Sequence, residues 1–196
     1  MLVACAIIFG TASSAVALRR HPLVAHVRPL TLAVSGLVAG LLALAFGPAT
    51  LLPALLLAVP LAAALAEIDL SCLRLPDPLV GALALVLGLP LTLSGTAVLR
   101  ALAAASVIGL TYLVIAVAPG RNLGLGDVKL AAVLGYALGF AGWPAVVIGA
   151  VVPHLIHGPV AAVLLSSRRA GRHTALPFGP ALLAGALVAA LYSRRS

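Results

Sequence analysis

The chain has 196 residues, of which 63% are hydrophobic, 8% charged and 4% aromatic, and its mean hydropathy is +1.25. A soluble domain is about half apolar and a quarter charged, so an ordinary soluble enzyme, a disordered regulator and a collagen-like or disulfide-stapled chain are excluded. The net charge of +8 does not point to nucleic acid, because the basic residues fall in short gaps between apolar segments rather than in a separate basic domain.

A spanning helix needs about 20 mostly apolar residues, with about 17 as a lower limit. The first predicted helix runs from Leu2 to Leu18. No basic stretch precedes its apolar run, so it reads as a retained helix rather than a signal peptide. A basic loop with Arg19, Arg20 and Arg28 leads to the second helix, Leu30 to Phe46. Gly47 and Pro48 turn into the third, Thr50 to Ile68. The polar stretch DLSCLRLPDP precedes a fourth, Leu79 to Leu93, and Ser94 and Gly95 turn into a fifth that ends near Ala118. APGRNLGLGD, the most glycine-rich loop, opens a short sixth segment from Asp127 to Phe140, broken by Gly142 to Pro144. The seventh helix reaches Ser166, SSRRAGRHT lies outside the membrane, and the eighth covers Pro180 to Tyr192.

The expected fold class is therefore an all-α integral membrane bundle of about eight transmembrane segments. A membrane barrel would alternate apolar and polar residues instead. No internal repeat or long linker divides the chain. Residues 1–48 supply two N-terminal helices and residues 49–196 the remaining core of one compact membrane domain.

Gaps after odd-numbered helices hold Arg19, Arg20, Arg28, Arg74, Arg121, Arg168, Arg169 and Arg172, and Lys129 lies one turn inside the sixth segment. Arg100, Arg194 and Arg195 fall on the other side. The positive-inside rule then places the odd gaps in the cytoplasm and the N-terminus outside. A re-entrant sixth segment would instead bring the C-terminus inside.

Only four residues are acidic: Glu67, Asp69, Asp77 and Asp127. A carboxylate near hydrocarbon is unfavourable enough to be functional by default. Glu67 and Asp77 read most simply as loop groups in contact with water. Asp69 closes the third helix and Asp127 opens the sixth. Two spanning helices separate them, so both carboxylates lie at the same membrane face. Two carboxylates that meet share a proton and titrate as a unit, one acting as base and the other as acid. Such a pair can activate a water against a peptide carbonyl. Gly124 and Gly126 would let an extended substrate strand approach Asp127. Asp127 itself stands where an N-cap would, with helix amides to steady its charge.

The string GLGDVKL, from Gly124 to Leu130, resembles the second active-site motif of the prepilin peptidases, or type IV leader peptidases, which are membrane aspartic proteases of the GxGD class. IDLSCLRLPD resembles their first motif through Asp69, Pro76 and Asp77. LPFGPALLAG resembles the PFGP stretch before their last helix through Pro177, Phe178, Gly179 and Pro180. The resemblance spans about residues 50–193. It implies a six-helix GxGD-type peptidase core with two extra N-terminal helices, and Asp69 and Asp127 as the catalytic pair. It makes Gly124, Gly126, Lys129, Pro76, Asp77 and the PFGP residues substrate-binding groups or scaffold. The implied activity is removal of the basic leader from prepilins or pseudopilins, at the cytoplasmic face of the bacterial inner membrane, without metal or organic cofactor. Larger members carry a domain with paired CxxC motifs between the first two helices. Here that gap is only RRHPLVAHVRP, and the two cysteines are Cys5 and Cys72, so neither methyltransferase activity nor its zinc is expected.

Two other readings compete. Pro180-Ala181-Leu182 spells the PAL triplet of presenilin-type intramembrane proteases, but Ile68 stands where those carry Tyr. A small ion-coupled transporter or assembly factor could use the aspartates as an ion site, although such proteins often show an internal repeat.

Lys129, two residues from Asp127 on a helix, should point away from it, towards substrate, a structural partner or the interface. His154 and His157 share a face at i, i+3, but a catalytic zinc usually takes a third protein ligand and none stands at the same depth, so a hydrogen-bonded seam is the simpler expectation. Cys72 has no local His to activate it as a nucleophile. His173 and its neighbouring arginines read as orientation and headgroup contact.

Overall fold

A computed structural model describes residues 1–20, 28–95, 97–118, 123–166 and 176–194. Among them the chain forms eight helices and no strand: α1 (Leu2–Arg20), α2 (Pro29–Phe46), α3 (Leu52–Cys72), α4 (Asp77–Leu93), α5 (Val98–Val117), α6 (Leu125–Ala141), α7 (Trp143–Ser166) and α8 (Gly179–Tyr192). Arg121, Arg168, Arg169, Arg172, His173 and Arg195 lie outside the described residues, as do the side chains of Arg19 and Arg20.

Each expected helix is present, and the differences lie at helix ends. α3 runs four residues beyond Ile68. It stops where Leu73 takes the left-handed conformation (φ 53°) and donates its amide to the Asp69 carbonyl at 2.9 Å. Asp69 therefore sits within the last turn of α3 rather than after it. α6 begins two residues before Asp127, because Gly124 takes the extended N-cap conformation (φ −73°, ψ 147°). The break before α7 is Gly142 alone, whose φ of 116° suits only glycine. Trp143 and Pro144 already belong to the first turn of α7, where proline's missing N–H is harmless.

Four helices (α2, α3, α5 and residues Trp143–Val163 of α7) are long and apolar enough to cross a membrane, and α4 and α8 are shorter apolar helices. The outside is apolar as well: Leu93 and Leu99 are 76% and 84% exposed. The chain is a polytopic helical membrane protein. α6, at about 26 Å, runs the length of α4. Lys129 pairs with Asp77 at one end, and the Tyr136 and Thr92 hydroxyls meet at 2.7 Å at the other. Arg194 stands 4.5 Å over the Phe46 ring, at the end of α2 opposite Arg28, so the C-terminus lies at the far end from Asp69.

One core cluster joins α3, α4, α5, α6 and α8 through Leu65, Leu83, Tyr112, Leu130 and Leu182. A second joins α1 and α2 to the first half of α3 through Ala6, Ala39, Ala43 and Val59. Small residues let the backbones approach, as membrane helices require. A Cβ at Gly139 would meet the Ala101 Cα at 2.5 Å. Arg100 ties the same crossing by donating to the Gly139 and Phe140 carbonyls at 2.7 and 3.0 Å, which satisfies the end of α6. Gly139→Val should push α5 from α6 and lose about 1–3 kcal/mol. It should lower the thermal midpoint in detergent, whereas Gly81→Val, with nothing within 4 Å of its Cβ, should not.

Candidate active site

The end of α3, the starts of α4 and α6 and the segment between α3 and α4 line a cavity of about 480 Å³, with Asp69, Arg74, Leu75, Asp77, Asp127 and Lys129 among its residues. Three of the chain's four carboxylates meet there.

Asp69 is buried, and its Oδ2 accepts the Gly179 N–H at 2.8 Å. Gly179 opens α8, so this amide is one of the helix's unpaired donors and brings the positive end of its dipole to the carboxylate. A Cβ at position 179 would lie 2.9 Å from that oxygen, so only glycine permits the approach. The PFGP residues build it. Pro180 occupies the first turn of α8, where it gives up no needed bond. Phe178 is buried, with its ring centroid 4.9 Å from His157, 5.5 Å from His154 and 6.0 Å from Tyr112. Pro177, with a fixed φ, leads into it.

Asp127 is not an N-cap. It is the third residue of α6, and Gly124 is the cap. The Asp127 N–H donates to the Gly124 carbonyl at 3.0 Å, and the Gly124 N–H donates back to Asp127 Oδ2 at 3.2 Å. Glycine has no side chain to offer, so its backbone carbonyl closes the reciprocal pair. The other carboxylate oxygen, Oδ1, is buried with no hydrogen-bond partner among the described residues. A buried unpaired oxygen is unfavourable in a fold and marks a place where something binds or reacts.

Gly126 has a different use from the open approach expected of it. A Cβ there would meet Leu75 Cβ at 2.9 Å, so the glycine lets the chain's own α3–α4 segment pack over α6. Leu75 also reaches towards Gly179, with its Cδ2 3.4 Å from the place of a Cβ there. Pro76, extended at φ −64° and ψ 125°, caps α4, and Asp77 is the first residue of that helix. Lys129 donates to both Asp77 oxygens at 2.7 Å.

Glu67 corrects the sequence reading. It is not a loop group in water but is 1% exposed. Its Oε1 lies 3.1 Å from Arg28 Nε, and its Oε2 accepts the Thr31 hydroxyl. Two residues from Asp69 on one helix, it faces elsewhere and clips the first turn of α2 to α3. Arg28, the N-cap of α2, and Thr31 in its first turn are the signal that could have found it.

Tyr112, fully buried on α5 beside Phe178 and His154, escaped the sequence reading because only tertiary packing places it. His154 is exposed, and its Nδ1 lies 2.8 Å from the Ala150 carbonyl one turn earlier on its own helix rather than in a seam between helices. Among the described residues no group of three or more His, Cys, Asp or Glu is placed to hold a metal ion. Cys72 is exposed.

A family model described as the type IV leader peptidase family matches residues 55–158, a span that contains Asp69, Asp77, Asp127 and Lys129. No curated protein and no solved structure matches the chain.

Proposed function

The chain belongs to the type IV leader peptidase family, and from that premise we propose that it removes the basic leader of type IV prepilins or pseudopilins as an aspartic endopeptidase, with Asp69 and Asp127 as the catalytic pair. The observation that carries this reading is the convergence of two buried carboxylates from α3 and α6 on one cavity, with Asp127 Oδ1 left unpartnered. The Gly179 and Gly124 amides each hold one oxygen of a carboxylate and leave the other for chemistry.

The ionised member takes a proton from water, and the water oxygen attacks the scissile carbonyl carbon. The protonated member polarises the carbonyl oxygen and receives the developing charge. The tetrahedral intermediate then collapses, the C–N bond breaks, and the leaving amine takes up a proton from the pair. This chemistry needs no metal or organic cofactor. Gly124, Gly126, Pro76, Asp77, Lys129 and the PFGP residues serve as scaffold or substrate contacts. The distribution of arginines supports a site at the cytoplasmic face of the bacterial inner membrane.

The test uses the purified chain in detergent and a peptide with a basic leader ahead of an apolar segment. Mass spectrometry should find one cut at their junction, undiminished by a chelator. A peptide that stays intact, or a cut that a chelator abolishes, would overturn the reading. Gly179→Ala should displace the Asp69 carboxylate and lower kcat by about 10–100-fold with KM little changed, as initial rates on the same peptide would show.

A further inference from the structure

The chain carries twelve Lys and Arg but four Asp and Glu. Glu67 is engaged by Arg28 and Thr31, and the other three carboxylates line the cavity. Asp69 and Asp127 are buried there, whereas the Asp77 side chain is 67% exposed at the rim. Its present partner is an amine: Lys129 Nζ is 2.7 Å from both of its oxygens. The rim thus already holds a cation in the pose that an incoming one would adopt. Both partners are more than half exposed, so the pair adds little stability, and the flexible lysine stem can swing away. Asp77 does not depend on Lys129 for its position. It opens α4, where the helix N-terminus favours a carboxylate, and Pro76 sets the backbone before it. The unpartnered buried oxygen of Asp127 independently marks the same cavity as a binding place. Arg74 lines the rim too and has no ion pair among the described residues, so selection rests on Asp77 and not on net charge.

Resting on the peptidase reading, we propose that Asp77 is a specificity-determining residue: a Lys or Arg side chain of the bound peptide displaces Lys129 and pairs with Asp77. One cation–carboxylate contact replaces another, and the released Lys129 ammonium turns to water.

The test takes the full chain in detergent and two fluorescent peptides, one with Lys and Arg ahead of its apolar segment and one with Gln at each of those positions. Binding is read by anisotropy and cleavage by initial rates. Asp77→Asn should raise KM and the dissociation constant for the basic peptide about fivefold, leave kcat nearly unchanged, and leave the Gln peptide unaffected. The reversed pair, Asp77→Lys with Lys129→Asp, keeps the bridge and should not recover the basic peptide. Equal losses on both peptides, or recovery by the reversed pair, would reduce the contact to a tie between α4 and α6. If the wild type cuts neither peptide, the peptidase reading fails, and anisotropy with the same two peptides still decides the role of Asp77.

Discussion

Asp69→Asn and Asp127→Asn should each slow peptide cleavage by about three orders of magnitude or more, with membrane abundance unchanged. The asparagine carbonyl oxygen can still accept the Gly179 or Gly124 amide that each aspartate holds, so the fold and the side-chain pose survive. What is lost is the capacity to take up or give a proton. On the proposed mechanism the two carboxylates act as one unit, so the double variant should be no slower than the slower single one. Glutamate at either position keeps the charge but moves the carboxylate by about 1 Å, enough for about a 100-fold loss. Initial rates with a leader peptide, normalised to chain abundance, check all of this. An asparagine variant that retains wild-type turnover would remove that residue from the chemistry.

Outside the cavity, Arg28→Ala should be the most damaging change. It would leave the Glu67 carboxylate, 1% exposed, with the Thr31 hydroxyl alone. Removing one partner of a buried pair loses about 3–5 kcal/mol, and the lower end applies because Arg28 is itself half exposed. The expected result is a clear fall in thermal midpoint in detergent and in steady-state membrane abundance, with turnover per folded molecule retained. Thr31→Val should lose less, about 1–2 kcal/mol. Replacing both Arg28 and Glu67 by apolar residues of similar size should recover most of the loss, since a buried charge pair is close to neutral against a packed apolar one. If Arg28→Ala unfolds at the wild-type temperature, the clip does not hold α2 to α3.

The helical architecture was legible because apolar run length reports membrane spans directly, and turn residues such as Gly47, Pro48 and Gly142 marked the breaks. Asp69 and Asp127 stood out as rare carboxylates in an apolar chain, and the PFGP residues through the resemblance to the leader peptidases. The details that escaped have physical causes. The polar residues after Ile68 mark the edge of the apolar run, but helix hydrogen bonding continues until Leu73 turns left-handed, and nothing about a leucine announces that turn. Aspartate usually caps a helix with its side chain, yet at α6 the backbone of Gly124 does so and Asp127 folds back onto it. Glu67 looked solvated because its partners lie more than thirty residues upstream, the Thr31 hydroxyl being 36 positions away. Gly126 seemed to open a path for substrate, but the chain's own Leu75 fills the place.

The measurement that tests the central claim most directly is the pH dependence of kcat for the wild-type chain on a leader peptide. Hydrolysis by a carboxylate pair requires one member ionised and the other protonated. At low pH both are protonated and no base remains; at high pH both are ionised and no acid remains. The account predicts a bell whose two limbs belong to the pair as a unit. A rate governed by a single ionisation, with a plateau on one side, would contradict it.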